Sequence, residues 1–153
     1  MRTGLTAAGL ALFAAVVLLT GGGRAQSATV EHTCSATDRQ FIAKTGLTMT
    51  ALGVWGDDYR RGDVSEDDLV SEARRAAKRV ASLAPRDPSL RQAQVLVAGM
   101  FTEYGRAMSA KAASKDAAPH MYRAYGLANF AFDVLSDAEP ELASRGCDVS
   151  ALL

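Results

Sequence analysis

Histidine and cysteine are scarce in this chain, with two of each in 153 residues. That scarcity removes most nucleophilic and metal-binding chemistry. A Ser-His-Asp or Cys-His site needs a histidine inside the fold. His32 falls in an N-terminal arm, which leaves His120 alone. A structural metal site needs several clustered ligands, and the chain has neither a CxxC pair nor a second histidine to join His120. A Gly-rich phosphate loop is also missing. The acids between Asp57 and Asp68 do not spell a calcium loop. With Gly62 at the glycine position of an EF-hand, its third and fifth positions would be Tyr59 and Arg61. Arg61-Gly62-Asp63 matches an adhesion tripeptide, a match short enough to arise by chance. Sustained apolar/polar alternation and internal repeats are absent too, so neither a sheet nor a solenoid is expected.

An excess of charge of either sign is also lacking: 17 basic residues face 17 acidic ones. The first segment changes this slightly. Arg2 is a minimal positive start, Leu5 to Leu19 is an apolar run, and Gly23 and Ala25 are small residues suited to signal-peptidase cleavage. Residues 1–25 are therefore expected to be a signal peptide, cut after Ala25 or after Ala28. The competing reading, an uncleaved anchor, meets an apolar run near the lower limit of about 17 residues for a span. Cys34 lies too far beyond the run to be a lipoprotein cysteine. Cleavage after Ala25 takes away Arg2 and Arg24 and no acid, leaving 15 basic against 17 acidic residues, a net charge of −2. No broad basic surface for nucleic acid or anionic lipid is expected.

The two cysteines, Cys34 and Cys147, both lie in the mature region of a chain expected to be secreted or to sit in the cell envelope. They are expected to form one disulfide spanning nearly the whole fold. Four amphipathic helices lie between them. The clearest runs from Asp87 to Lys111. Asp87 caps it, Pro88 suits its first position, and Leu90, Ala93, Val97, Met100, Phe101, Tyr104, Ala107 and Met108 form one stripe. Leu96 widens that stripe, so this helix needs more than one neighbour.

The first helix is expected to start near Thr37, with Gln40 completing a capping box, and to stop at Gly62. Phe41, Ile42, Met49, Leu52, Trp55 and Tyr59 recur along it; Gly46, Gly53 and Gly56 suit close approach of a neighbour or, less simply, a ligand. The second is expected to run from Ser65 to Pro85 on a stripe of Leu69, Val70, Ala73, Ala77, Val80, Ala81 and Ala84. Its basic cluster, Arg74, Arg75, Lys78 and Arg79, reads as a solvated face unless other basic stretches join it. The fourth is expected to open near Asp116 with Pro119 in its first turn, to bury Met121, Tyr125, Ala128, Phe132 and Leu135, and to break between Ser136 and Pro140.

The expected fold is an all-α, up-down-up-down four-helix bundle over residues 37–147, closed by Cys34–Cys147. A flexible arm over 26–36 precedes it and a tail over 148–153 follows. That topology puts both cysteines at one end. At the other end it gathers Tyr59, Tyr104, Met108 and His120, with Met121 and Tyr122 beside them. These residue types can hold a haem or a soft metal, and they also pack as ordinary core and rim. Glu72, Glu103 and Asp133 are expected on outward faces, which leaves no paired carboxylates for acid–base work. The expectation is a non-enzymatic exported binding or interaction protein with no required cofactor. The alternative is a carrier of haem or another apolar small molecule, held near Tyr59, Tyr104, Met108 and His120.

Overall fold

The structure, a computed structural model, describes residues 33–153. The expected signal peptide, both cleavage sites and the arm through His32 lie outside the described residues. Within them every long element is a helix: α1, Ala36–Arg61; α2, Glu66–Ala81; α3, Pro88–Ala112; α4, Ala118–Ser144. A short 3-10 turn, Ser150–Leu152, closes the chain. Asp87 caps α3 by accepting the N–H groups of Ser89 and Leu90, and Pro88 takes the first position.

Helix α3 is the hub, packing extensively against both α2 and α4. Gln94 near its start donates to the carbonyls of Val80 in the last turn of α2 and of Leu83 just beyond it. Gly105 near its end lies against Val70 and Ala73 at the start of α2. These two helices therefore run antiparallel. Glu103 of α3 meets His120 and Arg123 of α4 in the same head-to-tail sense. A Cβ on Gly105 would sit 3.3 Å from the Ala73 methyl, so glycine and alanine together set how closely α2 and α3 approach.

The core is concentrated at the disulfide end. Phe41, Ile42, Val80, Leu90, Val97, Phe101, Leu135, Leu142, Val149 and Leu152 form one cluster with both cysteines. Residues 148–153, expected as a tail, carry Val149 and Leu152 into that core, and Ala151 contacts Gly46 of α1. Cys34 and Cys147 are bonded, with their Cα atoms 5.1 Å apart. Three helix ends meet beside them. Asp38 accepts the backbone N–H groups of Arg86 and Asp87 at 2.6 and 3.1 Å, the Arg145 guanidinium donates to Asp87 at 2.6 Å, and Cys34 N–H donates to the Arg145 carbonyl at 2.8 Å.

Several local expectations need correction. Helix α1 is capped by Ser35, whose hydroxyl accepts the Asp38 N–H while the Asp38 carboxylate accepts the Ser35 N–H. The Thr37–Gln40 box has the right spacing, but Cys34 is pinned by its disulfide and puts Ser35 at the cap. Helix α2 ends at Ala81, and Ala76 is buried in place of Ala81 and Ala84. Gln94 takes up the freed carbonyls there. Helix α4 continues unbroken through Pro140. Pro140 forfeits one helical hydrogen bond, but Leu142 is fully buried and Cys147 is tied to Cys34, so tertiary anchoring holds the last turn.

The buried face of α4 is also rotated from the expected one. Ala124, Ala131, Leu135 and Leu142 are buried, whereas Tyr125 is 64% and Phe132 50% exposed. Small side chains turn toward α3, where Gly99 already sits close to Leu127. The aromatics stay outside because two comparable apolar stripes share this helix, and the tighter contact selects the smaller one.

Candidate binding groove

The bundle is not closed along its length. Helix α1 buries Asp38, Phe41, Ile42, Thr45, Gly46 and Thr48, and beyond Thr48 its apolar side chains Met49, Leu52, Trp55 and Tyr59 are only partly buried. Helices α1 and α4 barely approach each other, and the gap between them is bridged at one end by the disulfide and the C-terminal turn. From Met49 onward the seam opens into a groove of about 640 Å³. Its floor is α3, through Met100, Phe101, Tyr104 and Met108. Met49, Leu52, Gly53 and Gly56 of α1 make one wall, and Met121 of α4 stands on the other.

All four methionines of the described residues, Met49, Met100, Met108 and Met121, line this groove. Methionine is unbranched and polarizable, so it covers apolar surface while adapting to irregular shapes. A Cβ at Gly53 or Gly56 would meet nothing within 4 Å, so the α1 backbone is open to close approach from the groove side. Tyr125 of α4 is near enough to Tyr104 to influence its ionisation, and Phe132 stands two turns along the same face. The exposed aromatics thus extend the apolar wall beyond Met121.

The polar groups gather at the far end. Tyr59 donates to Glu66 at 2.7 Å, and Lys111 donates to the Tyr59 oxygen at 2.5 Å with its ammonium 4.8 Å from that ring's centroid. The Tyr59 hydroxyl holds the Glu66 carboxyl below its ordinary range and pushes the Lys111 ammonium up. Burial, and then the Tyr59 phenol, pushes Tyr104 up. The Tyr104 hydroxyl makes no hydrogen bond among the described residues. Leu69, Val70 and Met108 form a small core beneath Trp55, Tyr59 and Tyr104. Arg60 pairs with Asp57 on the rim.

The four candidate site residues therefore separate. Tyr59, Tyr104 and Met108 come together in the groove; His120 does not. It lies on the other side of α3, where its Nδ1 is 2.8 Å from Glu103. Arg123 approaches the same nitrogen, but Nδ1 donates to the Glu103 carboxylate and cannot also accept, so the Arg123 hydrogen bond at 2.9 Å goes to Glu103. Arg106 completes the set on Glu103. The His120, Arg123 and Arg106 donors outweigh partial burial and hold the Glu103 carboxyl at about 2. With His120 engaged there, the described residues of the groove offer an iron no imidazole, and an apolar occupant suits it better than haem.

Glu72 and Glu103, expected to face outward, are both buried. Each is neutralised by two arginines, Glu72 by Arg75 and Arg79 of its own helix. Their helical positions border the apolar stripe, and a long cation folding over each from the wet side covers it. Sequence periodicity missed the groove because it assumed that each stripe meets a partner. The convergence of the methionines was the available signal. Compared with protein-family models, curated proteins and solved structures, the chain matches none, so the site rests on its own chemistry.

Proposed function

We propose that this protein is a non-enzymatic, exported interaction module that receives an amphipathic helix of a partner protein in the groove between α1 and α4. The convergence of all four methionines of the described residues carries the reading. Methionine-rich apolar grooves suit helical partners whose apolar side chains vary. The open side of the groove favours a helix over a small molecule. A small apolar ligand would leave one flank in water, whereas an amphipathic helix covers that flank with its own polar face. Gly53 and Gly56 leave room for a partner backbone, and Arg60 and Lys111 at the far end suit a segment with an acidic terminus. Export rests on the apolar N-terminal run and agrees with the disulfide. No helix among the described residues is long and apolar enough to cross a membrane.

The second reading is a carrier of a small apolar molecule, favoured by a groove volume within the range of about 300–1,000 Å³ typical of ligand pockets. Native mass spectrometry of the protein recovered from its own host separates the two. A co-purifying protein chain that is lost from the Met121→Glu variant supports the helix-binding reading. A small added mass lost from the same variant selects the carrier. A bare chain, or a complex indifferent to Met121→Glu, contradicts both.

A further inference from the structure

A second cavity of about 640 Å³ opens on the side of α3 away from the methionine groove. Arg74 and Lys78 of α2, Arg106 and Ser109 of α3, Lys115 of the following turn and His120 of α4 line it. Among the described residues its lining contains no carboxylate. The basic cluster of α2 divides at this point. Arg75 and Arg79 fold back onto Glu72, while Arg74 and Lys78 make no ion pair among the described residues and face the cavity. Lys115 makes none either. Arg106 spends one nitrogen on Glu103, and its guanidinium keeps further N–H donors. The basic residues of α2 are thus joined by two cations distant in sequence, Arg106 and Lys115.

A net-acidic mature chain gains nothing in general solubility from concentrating four cations in one concavity. Like charges at close quarters repel, and a cleft lined by one sign focuses the field and raises the local concentration of counter-ions. Arginine forks and lysine ammonium groups are the donors that recognise phosphate and sulfate oxygens, and the Ser109 hydroxyl, which makes no hydrogen bond among the described residues, adds a neutral donor. The volume exceeds what one orthophosphate fills. We infer that this cavity binds a small soluble polyanion carrying at least two phosphate or sulfate groups, through Arg74, Lys78, Arg106 and Lys115. The site is independent of the methionine groove, with α3 between them.

Titration calorimetry of the oxidised protein with inorganic tripolyphosphate, at low and then moderate salt, tests this. The expected result is one site per chain, weakened by salt. Lys78→Ala with Lys115→Ala should weaken it by about tenfold or more, and Arg74→Ala alone should weaken it in the same direction. Lys44→Ala with Arg86→Ala, which removes the same charge outside the cavity, should change affinity by less than about twofold. All three cavity side chains are exposed, so the variants keep the fold, which circular dichroism checks. No binding, or equal weakening by the two double variants, overturns the inference. So does attachment to phosphatidylglycerol-containing vesicles without tripolyphosphate binding, which would make the cavity a membrane contact instead.

Discussion

The Asp38 carboxylate accepts the backbone N–H of Asp87 at 3.1 Å, joining the first turn of α1 to the cap of α3 across 49 residues of sequence. The same oxygen takes the Arg86 N–H, and the other oxygen closes the Ser35 capping box. One buried side chain therefore serves two helix starts. Asp38→Ala removes the reciprocal half of the Ser35 box and leaves three backbone donors, those of Ser35, Arg86 and Asp87, without this partner, so we expect a loss of about 2–4 kcal/mol in urea or thermal unfolding. A cost under about 0.5 kcal/mol, the level of an ordinary surface change, would show that these contacts are dispensable.

Acid should unfold the protein in a window set by Glu103. Its folded carboxyl sits at about 2, against an ordinary value of 4.5, so the unfolded chain binds the proton first. The stability it contributes is complete above about pH 4.5 and is lost as pH falls toward 2. Burial pushes Asp38 up, but the Ser35 hydroxyl and the N–H groups of Asp87 and Arg86 prevail and hold it below its ordinary range, which adds to the same loss. Glu103→Gln should cost about 1.5–3 kcal/mol at pH 7 and flatten the acid limb of the stability curve. An unchanged acid limb would contradict the assignment.

The disulfide spans 113 residues, so its loss should release much chain entropy. Cys34→Ser with Cys147→Ser is expected to cost about 2–4 kcal/mol and to lower the melting temperature by several degrees. Release of the C-terminal turn from α1 should accompany it, seen as faster amide exchange at Val149 and Leu152. An unchanged melting temperature would contradict the role given to the bond.

Thr45 is fully buried and its hydroxyl has no partner among the described residues. Thr45→Val keeps the shape and removes the stranded polar group. It should stabilise the fold by about 1 kcal/mol, raising the melting temperature by a few degrees. Destabilisation would reveal a hydrogen bond at that oxygen.

The helices, the caps at Ser65 and Asp87, the stop at Gly62 and the pairing of Cys34 with Cys147 were legible from periodicity, cap chemistry and the expected compartment. The rotation of α4 was not, because Tyr125 and Phe132 look at least as apolar as Ala124 and Ala131, and only the closeness of α3 chooses between them. The burial of Glu72 and Glu103 escaped notice because helical spacing places a residue on a face without showing which arginine covers it. The gathering of Tyr59, Tyr104 and Met108 followed from topology. His120 shares their end of the bundle but looks out on the opposite side of α3, a distinction that sequence spacing alone does not make.

The most direct test of the groove uses its own methionines. Protein made with photoreactive methionine carries cross-linkers at Met49, Met100, Met108 and Met121, all on the groove. Irradiation in the host's extracellular fluid should attach one protein segment, joined through residues three and four apart on an apolar helical face. Cross-links to Met121 and Met108 should fall away in the Leu52→Glu variant, whose charge sits in the α1 wall of the same groove. Cross-links that scatter over many unrelated chains, or yield no adduct at all, would contradict the account.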